Sequence, residues 1–172
     1  MDLSAIRLAS AVVASLHLHP EKPGAPMQPV SALEAVADRG IAGNERYFDK
    51  RSRTTGEPTN RQVSLMEREQ IEAHAQALGL AQIAPGAVRA NIETSGLNLI
   101  DLIGQHIQVG EAVLFICEAR LPCAKMDAVC PGLRMRMQQN RQGVLAKVIR
   151  SGHIRMGDAI ISAPAENPSG QA

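Results

Sequence analysis

The stretch Ala112-Val113-Leu114-Phe115-Ile116-Cys117-Glu118-Ala119-Arg120-Leu121-Pro122-Cys123 organises the reading of this chain. Its first six residues are apolar and rich in strand-forming side chains, which predicts a buried strand. Pro122 has no N–H to give to a ladder, so the strand ends before it. Cys123 is then expected on a loop at a strand end, where a scaffold can hold a reactive group near solvent. Arg120 lies three residues before it and Lys125 two after it. Positive charge beside a thiol favours the thiolate, the form that attacks and that binds metals. Cys123 is therefore the candidate for carrying chemistry, against the alternative of a thiol that only packs. Cys117, inside the apolar run, is expected in the core. Cys130, ahead of Pro131-Gly132, is assigned to neither role.

Outward from this stretch, the chain reads as short strands separated by turns. Ile6 to Leu18 contains a first strand, His19 to Pro26 is a loop dense in proline, and Pro29 to Val36 is a further strand. Gly40 to Phe48 turns sharply, and Asp49 to Asn60 is polar and expected to be mobile. Arg61 to Met66 is a strand. Ser64-Leu65-Met66-Glu67 matches a capping box, which predicts a helix from there to about Leu78, ended by Gly79. Met66, Ile71, Ala75 and Leu78 share one face of that helix, and His74 is expected to face solvent. Val88 to Ile92 is read as a strand that projects Arg89 and Asn91 from one side, either to grip a phosphate or carbonyl or merely to meet solvent. Gly104 and Gly110 mark tight turns on either side of Ile107-Gln108-Val109. After Cys123, Leu133 to Asn140 is a helix with Met135 and Met137 filling core gaps. Val144 to Ile149 is a strand, and Ile154 to Ile161 closes the domain with a strand pair. The fold class is mostly β, a closed or nearly closed barrel with two or three peripheral helices, which leaves no exposed strand edge. One domain is expected over residues 1–162, with 163–172 as a loose tail.

Composition narrows the function. The 172 residues carry 18 basic and 17 acidic side chains, a net charge of +1, so nothing in bulk attracts nucleic acid or an acidic membrane. Two Phe, one Tyr and no Trp leave almost no platform for stacking bases. No run reaches the 18 or so apolar residues of a spanning helix, and the N-terminus is poor as a signal peptide. Three cysteines are an odd number and fit no disulfide framework, and their spacing fits no zinc pattern, so a reducing cytoplasm is the expected home.

The ordered motifs Gly40-x-x-Gly43-x-x-Arg46, Arg61-Gln62-Val63, Arg89-x-Asn91, Pro122-Cys123, Arg141-x-Gly143 and Gly152-x-Ile154-x-x-Gly157-Asp158 resemble those of the MOSC domain. This is the C-terminal domain of molybdenum cofactor sulfurase, which also occurs as small stand-alone bacterial proteins. The likeness runs from about Met27 to Ser162. It implies a strand-rich barrel, binding of the molybdenum cofactor (a molybdopterin), and a functional cysteine at the Pro-Cys position. Carried over, Cys123 is a sulfur carrier through a persulfide, with a cysteine desulfurase as possible partner. Alternatively Cys123 ligates molybdenum in a reductase of N-hydroxylated small molecules, which would need an electron-transfer partner. A third reading is a non-catalytic binding module. Arg46, Arg61, Arg89 and Asn91 become the candidates for holding the pterin and its phosphate. Pyridoxal phosphate, which full-length sulfurases bind in a separate aminotransferase-like domain, is not expected within this chain. Asn44 stands where relatives have aspartate in a Gly-Asp-Arg sequence, and Glu45 intervenes before Arg46. An amide cannot balance a nearby arginine, so either the cofactor is held differently or Glu45 supplies the charge.

Overall fold

In the computed structural model, which describes residues 10–166, the chain opens with β1 (Val12–Leu18), β2 (Gln28–Val30), β3 (Ala32–Val36) and β4 (Gly40–Ile41). It continues through β5 (Val63–Glu67), α1 (Arg68–Ala77), β6 (Ile92–Ser95), β7 (His106–Val109) and β8 (Ala112–Ala119). Two short helices, α2 (Lys125–Val129) and α3 (Leu133–Arg136), precede β9 (Val144–Arg150), β10 (Gly152–Arg155) and β11 (Ile160–Ala163). Eight strands form one sheet in the order β11-β7-β8-β9-β5-β6-β1-β2. A smaller sheet has the order β10-β3-β4. All pairings are antiparallel except β5 with β6, which are parallel and joined through α1. The long sheet curls until β1, next to its β2 end, meets the start of β11. Val12 bridges Ala159, the Ile160 N–H donates to the Ala11 carbonyl at 2.9 Å, and the Gly157 N–H donates to the Val13 carbonyl at 2.9 Å. The expected barrel with peripheral helices is the observed architecture.

Two apolar clusters hold it together. The barrel interior is filled by Leu16, Leu33, Ile41, Leu65, Ile92, Ile107, Leu114, Ile116, Val148 and their neighbours. Each fully buried Ile or Leu of this kind contributes about 1.5–3 kcal/mol. A second cluster joins Met66, Ile71, Ala75, Ile83, Val88, Met126, Leu133 and Met137, so all three helices share one apolar layer with β5. β5 lies between the two clusters and is buried at all five positions.

That double burial corrects the capping-box expectation. Ser64 to Glu67 stay in the strand, α1 starts at Arg68, and its N-cap Glu67 makes no side-chain capping bond. Helix α1 still ends where Gly79 adopts φ +72°, and Ile71 and Ala75 are buried as expected. His74 does not face solvent: it is 1% exposed, and its Nε2 donates to the Arg141 carbonyl at 2.8 Å. Arg89 and Asn91 are not on a strand, because β6 begins at Ile92 and Arg89 has φ +62°. The predicted helix over 133–140 is one short turn, α3, preceded by a second helix the sequence pattern did not mark. Met137 is buried, whereas Met135 is 76% exposed. Cys117 is half-buried on β8 rather than in the core, its Sγ donating to the Phe115 carbonyl at 3.5 Å. Burial pushes its thiol pKa up, against the opposing pull of Lys147.

The predicted strand over 29–36 is two strands, and the closing pair is split between sheets: β10 pairs with β3, and β11 with β7. Gly110 makes the expected tight turn between β7 and β8, with φ +58° and Val109 opposite Ala112. Residues 49–60, expected to be mobile, close on themselves through Ser52 N–H to the Glu57 carbonyl and Thr59 N–H to the Lys50 carbonyl. Of the stretch expected to contain the first strand, residues 6–9 lie outside the described part, as do residues 167–172 of the expected tail. Glu166, within that tail, accepts from Arg150 at 2.8 Å. Among the described residues no helix is long and apolar enough to cross a membrane.

Candidate functional site

A cleft of about 210 Å³ opens where β1 and β8 end and where β5, β6 and β9 begin. Antiparallel β1–β6 and β8–β9 pairs and the parallel β5–β6 pair bring these termini to one end of the barrel. Cys123 is exposed on its wall, four residues beyond the last residue of β8. An exposed thiol contradicts the packing alternative for this residue. Its carbonyl accepts from the Met126 N–H at 3.0 Å, which anchors the segment to the start of α2.

The wall also carries Arg61, Arg89, Arg120 and Lys125, and neither Asp nor Glu. Arg120 is half-buried and serves two ends. Its guanidinium donates to the carbonyls of Gln142, Val88 and Arg89 at 3.2–3.3 Å, tying together the three segments that surround it. Burial lowers its pKa to about 10, opposed by the charges of Cys123 and Tyr47 and helped by Arg61. Arg89 donates from Nη1 to the Ala25 carbonyl at 2.9 Å, while its Nη2 is buried with no partner among the described residues.

Asn91 lines the cleft, but its side chain is already committed. Oδ1 accepts from the Ser64 N–H and Oγ, both at 3.1 Å, and Nδ2 donates to the His17 carbonyl at 3.1 Å. The side chain thus continues the strand pairing one step beyond Ile92, on both sides of β6. Asn91 thus holds neighbouring segments together at the cleft wall, where the sequence reading expected a cofactor-binding residue. Arg46 does not line the cleft, and its guanidinium lies over the Tyr47 ring at 5.7 Å. Arg61, Arg89 and Cys123 are brought together as expected.

Asn44 is 1% exposed, and its Oδ1 accepts from the His19 N–H at 2.8 Å. It holds the loop after β1 in place, and an amide does this without burying a charge. Glu45 is exposed and is not part of the cleft wall, so it does not supply the missing charge there.

The sequence reading missed His19, Tyr47 and Gln142. The His19 ring packs against Tyr47 with centroids 4.6 Å apart, and its Nδ1 is buried without a partner. Burial lowers its pKa to about 4, and Arg89, Arg120, Arg46 and Lys125 push the same way. It is therefore neutral near pH 7. Gln142 is 3% exposed, and its Oε1 also has no partner. The available signals were a histidine directly before a proline and the single tyrosine of the chain. Buried polar groups are normally paired. Three orphaned atoms on one cleft wall, from His19, Arg89 and Gln142, mark a place for a ligand with donors, acceptors and negative charge. No group of three or more His, Cys, Asp or Glu side chains able to hold a metal occurs among the described residues. A metal at Cys123 would have to bring its other donors with it.

The chain is similar in structure to the YuaD protein of Bacillus subtilis, with a TM-score of 0.70 and 20% identity over 90% of this chain and 97% of that one. YiiM of Geobacillus stearothermophilus gives a TM-score of 0.70 at 17% identity over 90% of this chain and 75% of that one. YiiM of Escherichia coli gives 0.61 at 19% identity over 91% and 69%. At these identities the likeness is one of fold. No curated protein matches the chain. The model of the MOSC domain matches residues 38–161, which include every cleft residue except His19, and on that match the chain belongs to the MOSC domain family.

Proposed function

We propose that this cleft receives one end of the molybdenum cofactor and that Cys123 carries sulfur as a persulfide. MOSC domains are associated with that cofactor. The observation that carries the reading is an exposed thiol on a wall bearing Arg61, Arg89, Arg120 and Lys125 with no carboxylate. The residues fit a molybdopterin. Arginine forks suit its phosphate, and His19, Arg89 and Gln142 offer unspent polar atoms to the edge of a pterin. Val63, Met126 and Leu145 give the ring apolar wall. Ligand sites usually enclose about 300–1,000 Å³, so a cleft of about 210 Å³ takes part of such a molecule and leaves the rest at the surface. When bound, the cofactor supplies a redox-active metal with its own sulfur donors.

The chain's own residues account for loading. The Cys123 thiolate attacks the outer sulfur of a donor persulfide. A bond forms between Sγ and that sulfur, the donor's S–S bond breaks, and the donor leaves as a thiolate. The surrounding cations offset the negative charge of the new perthiolate. Neutral His19 adds hydrogen-bonding capacity without another charge. In delivery an acceptor thiolate attacks the outer sulfur, the S–S bond at Cys123 breaks, and the Cys123 thiolate leaves.

Incubation with a cysteine desulfurase and cysteine is expected to add one sulfur atom to Cys123, read by mass spectrometry of the intact and digested protein. No adduct on Cys123 would overturn the carrier role. The exposed Cys123 thiol on a cationic wall also supports a second reading, as a molybdenum ligand in a reductase of N-hydroxylated compounds. In that case cofactor-loaded protein supplied with electrons reduces hydroxylamines, and activity that survives Cys123→Ser would refute it.

A further inference from the structure

We propose that a small sulfane-sulfur dianion, of which thiosulfate is the simplest, enters this cleft and loads Cys123 directly. The inference rests on reading Cys123 as a sulfur carrier and names a donor that needs no protein partner. Arg61, Arg89, Arg120 and Lys125 converge on a wall that contains no acidic side chain. Such a wall repels cations and favours a compact anion of more than one charge. A cleft of about 210 Å³ is ample for an oxyanion of a few heavy atoms.

Arg89 is the specific receptor. Its backbone is held at φ +62°, and Nη1 is tied to the Ala25 carbonyl at 2.9 Å, which fixes the guanidinium. Nη2 is left as a buried donor with no partner, and an oxyanion satisfies it. Arg120 is the opposite case, since it donates to three carbonyls and serves as fixed positive charge. Cys123 stands on the same wall, exposed.

The reaction closes without an oxidant or reductant. The Cys123 thiolate attacks the sulfane sulfur of thiosulfate, and a bond forms between Sγ and that atom. The bond between the two sulfur atoms of thiosulfate breaks, and its electron pair leaves with sulfite. Three negative charges enter, as thiolate and dianion, and three remain, as perthiolate and sulfite. Negative charge that grows on the departing sulfite meets the guanidinium already holding its oxygens. A nucleophile such as cyanide then removes the outer sulfur as thiocyanate and restores the thiolate.

The test is thiocyanate production by the purified full chain from thiosulfate and cyanide, with mass spectrometry of Cys123 after thiosulfate alone. Turnover and one added sulfur are expected, both lost in Cys123→Ser. Arg89→Gln is expected to raise the KM for thiosulfate about tenfold or more, the effect of losing a hydrogen bond to a charged group. Arg134→Ala, on exposed α3, is expected to leave turnover unchanged. Sulfite added to the unaltered protein should compete with thiosulfate, which checks the shared site without any substitution. Loading by a desulfurase but not by millimolar thiosulfate would overturn this inference and leave the carrier role standing. Loading by neither would remove both. Thiosulfate turnover with no competition by sulfite, or with an unchanged KM in a folded Arg89→Gln protein, would overturn the cleft as the binding site.

Discussion

Replacing Asn91 by alanine tests whether this residue builds the cleft or binds in it. The side chain donates to the His17 carbonyl at 3.1 Å and accepts from the Ser64 N–H at 3.1 Å. It also accepts from the Ser64 hydroxyl, and it approaches Asn44 Oδ1 at 3.4 Å. Asn91 is 2% exposed, His17 2% and Ser64 7%, so water does not readily replace these partners. In Asn91→Ala the Ser64 amide and the His17 carbonyl are stranded. Each stranded group costs about 1–3 kcal/mol, which gives a total of about 2–6 kcal/mol. That is a large share of the roughly 5–15 kcal/mol by which domains are stable. Urea unfolding followed by circular dichroism is expected to show a lower midpoint with an unchanged slope. A loss below about 1 kcal/mol would refute the scaffold role, because neither side of the pairing could then depend on the amide. If such a stable variant also failed to retain a cofactor, Asn91 would return to the binding residues.

Gly143→Ala places a Cβ against the Leu65 carbonyl and 2.8 Å from the Met66 Cα, at a position with φ +73°. A loss of about 2 kcal/mol or more is expected in thermal unfolding, and a variant as stable as the parent would contradict the close approach of β5 to the loop before β9. His19 contributes a pH dependence whose sign follows from its lowered pKa. The unfolded chain binds its proton below about pH 6.5 while the folded one resists until about pH 4. The stability due to neutral His19 is therefore complete above pH 6.5 and lost as pH falls through about 4. His19→Gln is expected to flatten the fall in urea midpoint between pH 7 and pH 4.5, and an unaltered slope would show that His19 is not the group responsible.

The strands were legible where one cause dominated. The apolar run from Ala112, the glycine at 110 and the run from Val144 each fix an element by local chemistry alone, and all appear in place. The motif order also located Arg61, Arg89 and Cys123 at one site. What failed had two causes. Ser64 to Glu67 looks like a helix start because its residue types suit a capping box. Tertiary burial on both faces of β5 overrides that signal. Arg89 and Asn91 were placed together on a strand by their spacing. They do meet at the cleft, but through a left-handed turn at Arg89 and a buried amide at Asn91, neither of which spacing encodes. His74 was misplaced at the surface, and His19 was missed, for a related reason. The acceptor for His74 is a carbonyl 67 residues away, and His19 is kept neutral by burial and by cations from stretches far from it in sequence.

The seam of the barrel is stitched by residues 11–13 against residues 157–160. A nascent chain emerging from the ribosome cannot complete this closure until almost all of the mapped sequence has been synthesised. Until then β1 and β7 present unsatisfied edges. Closure of the barrel should accordingly come late and comparatively slowly, with loss of the strand at 160–163 leaving an aggregation-prone open sheet rather than a smaller working protein.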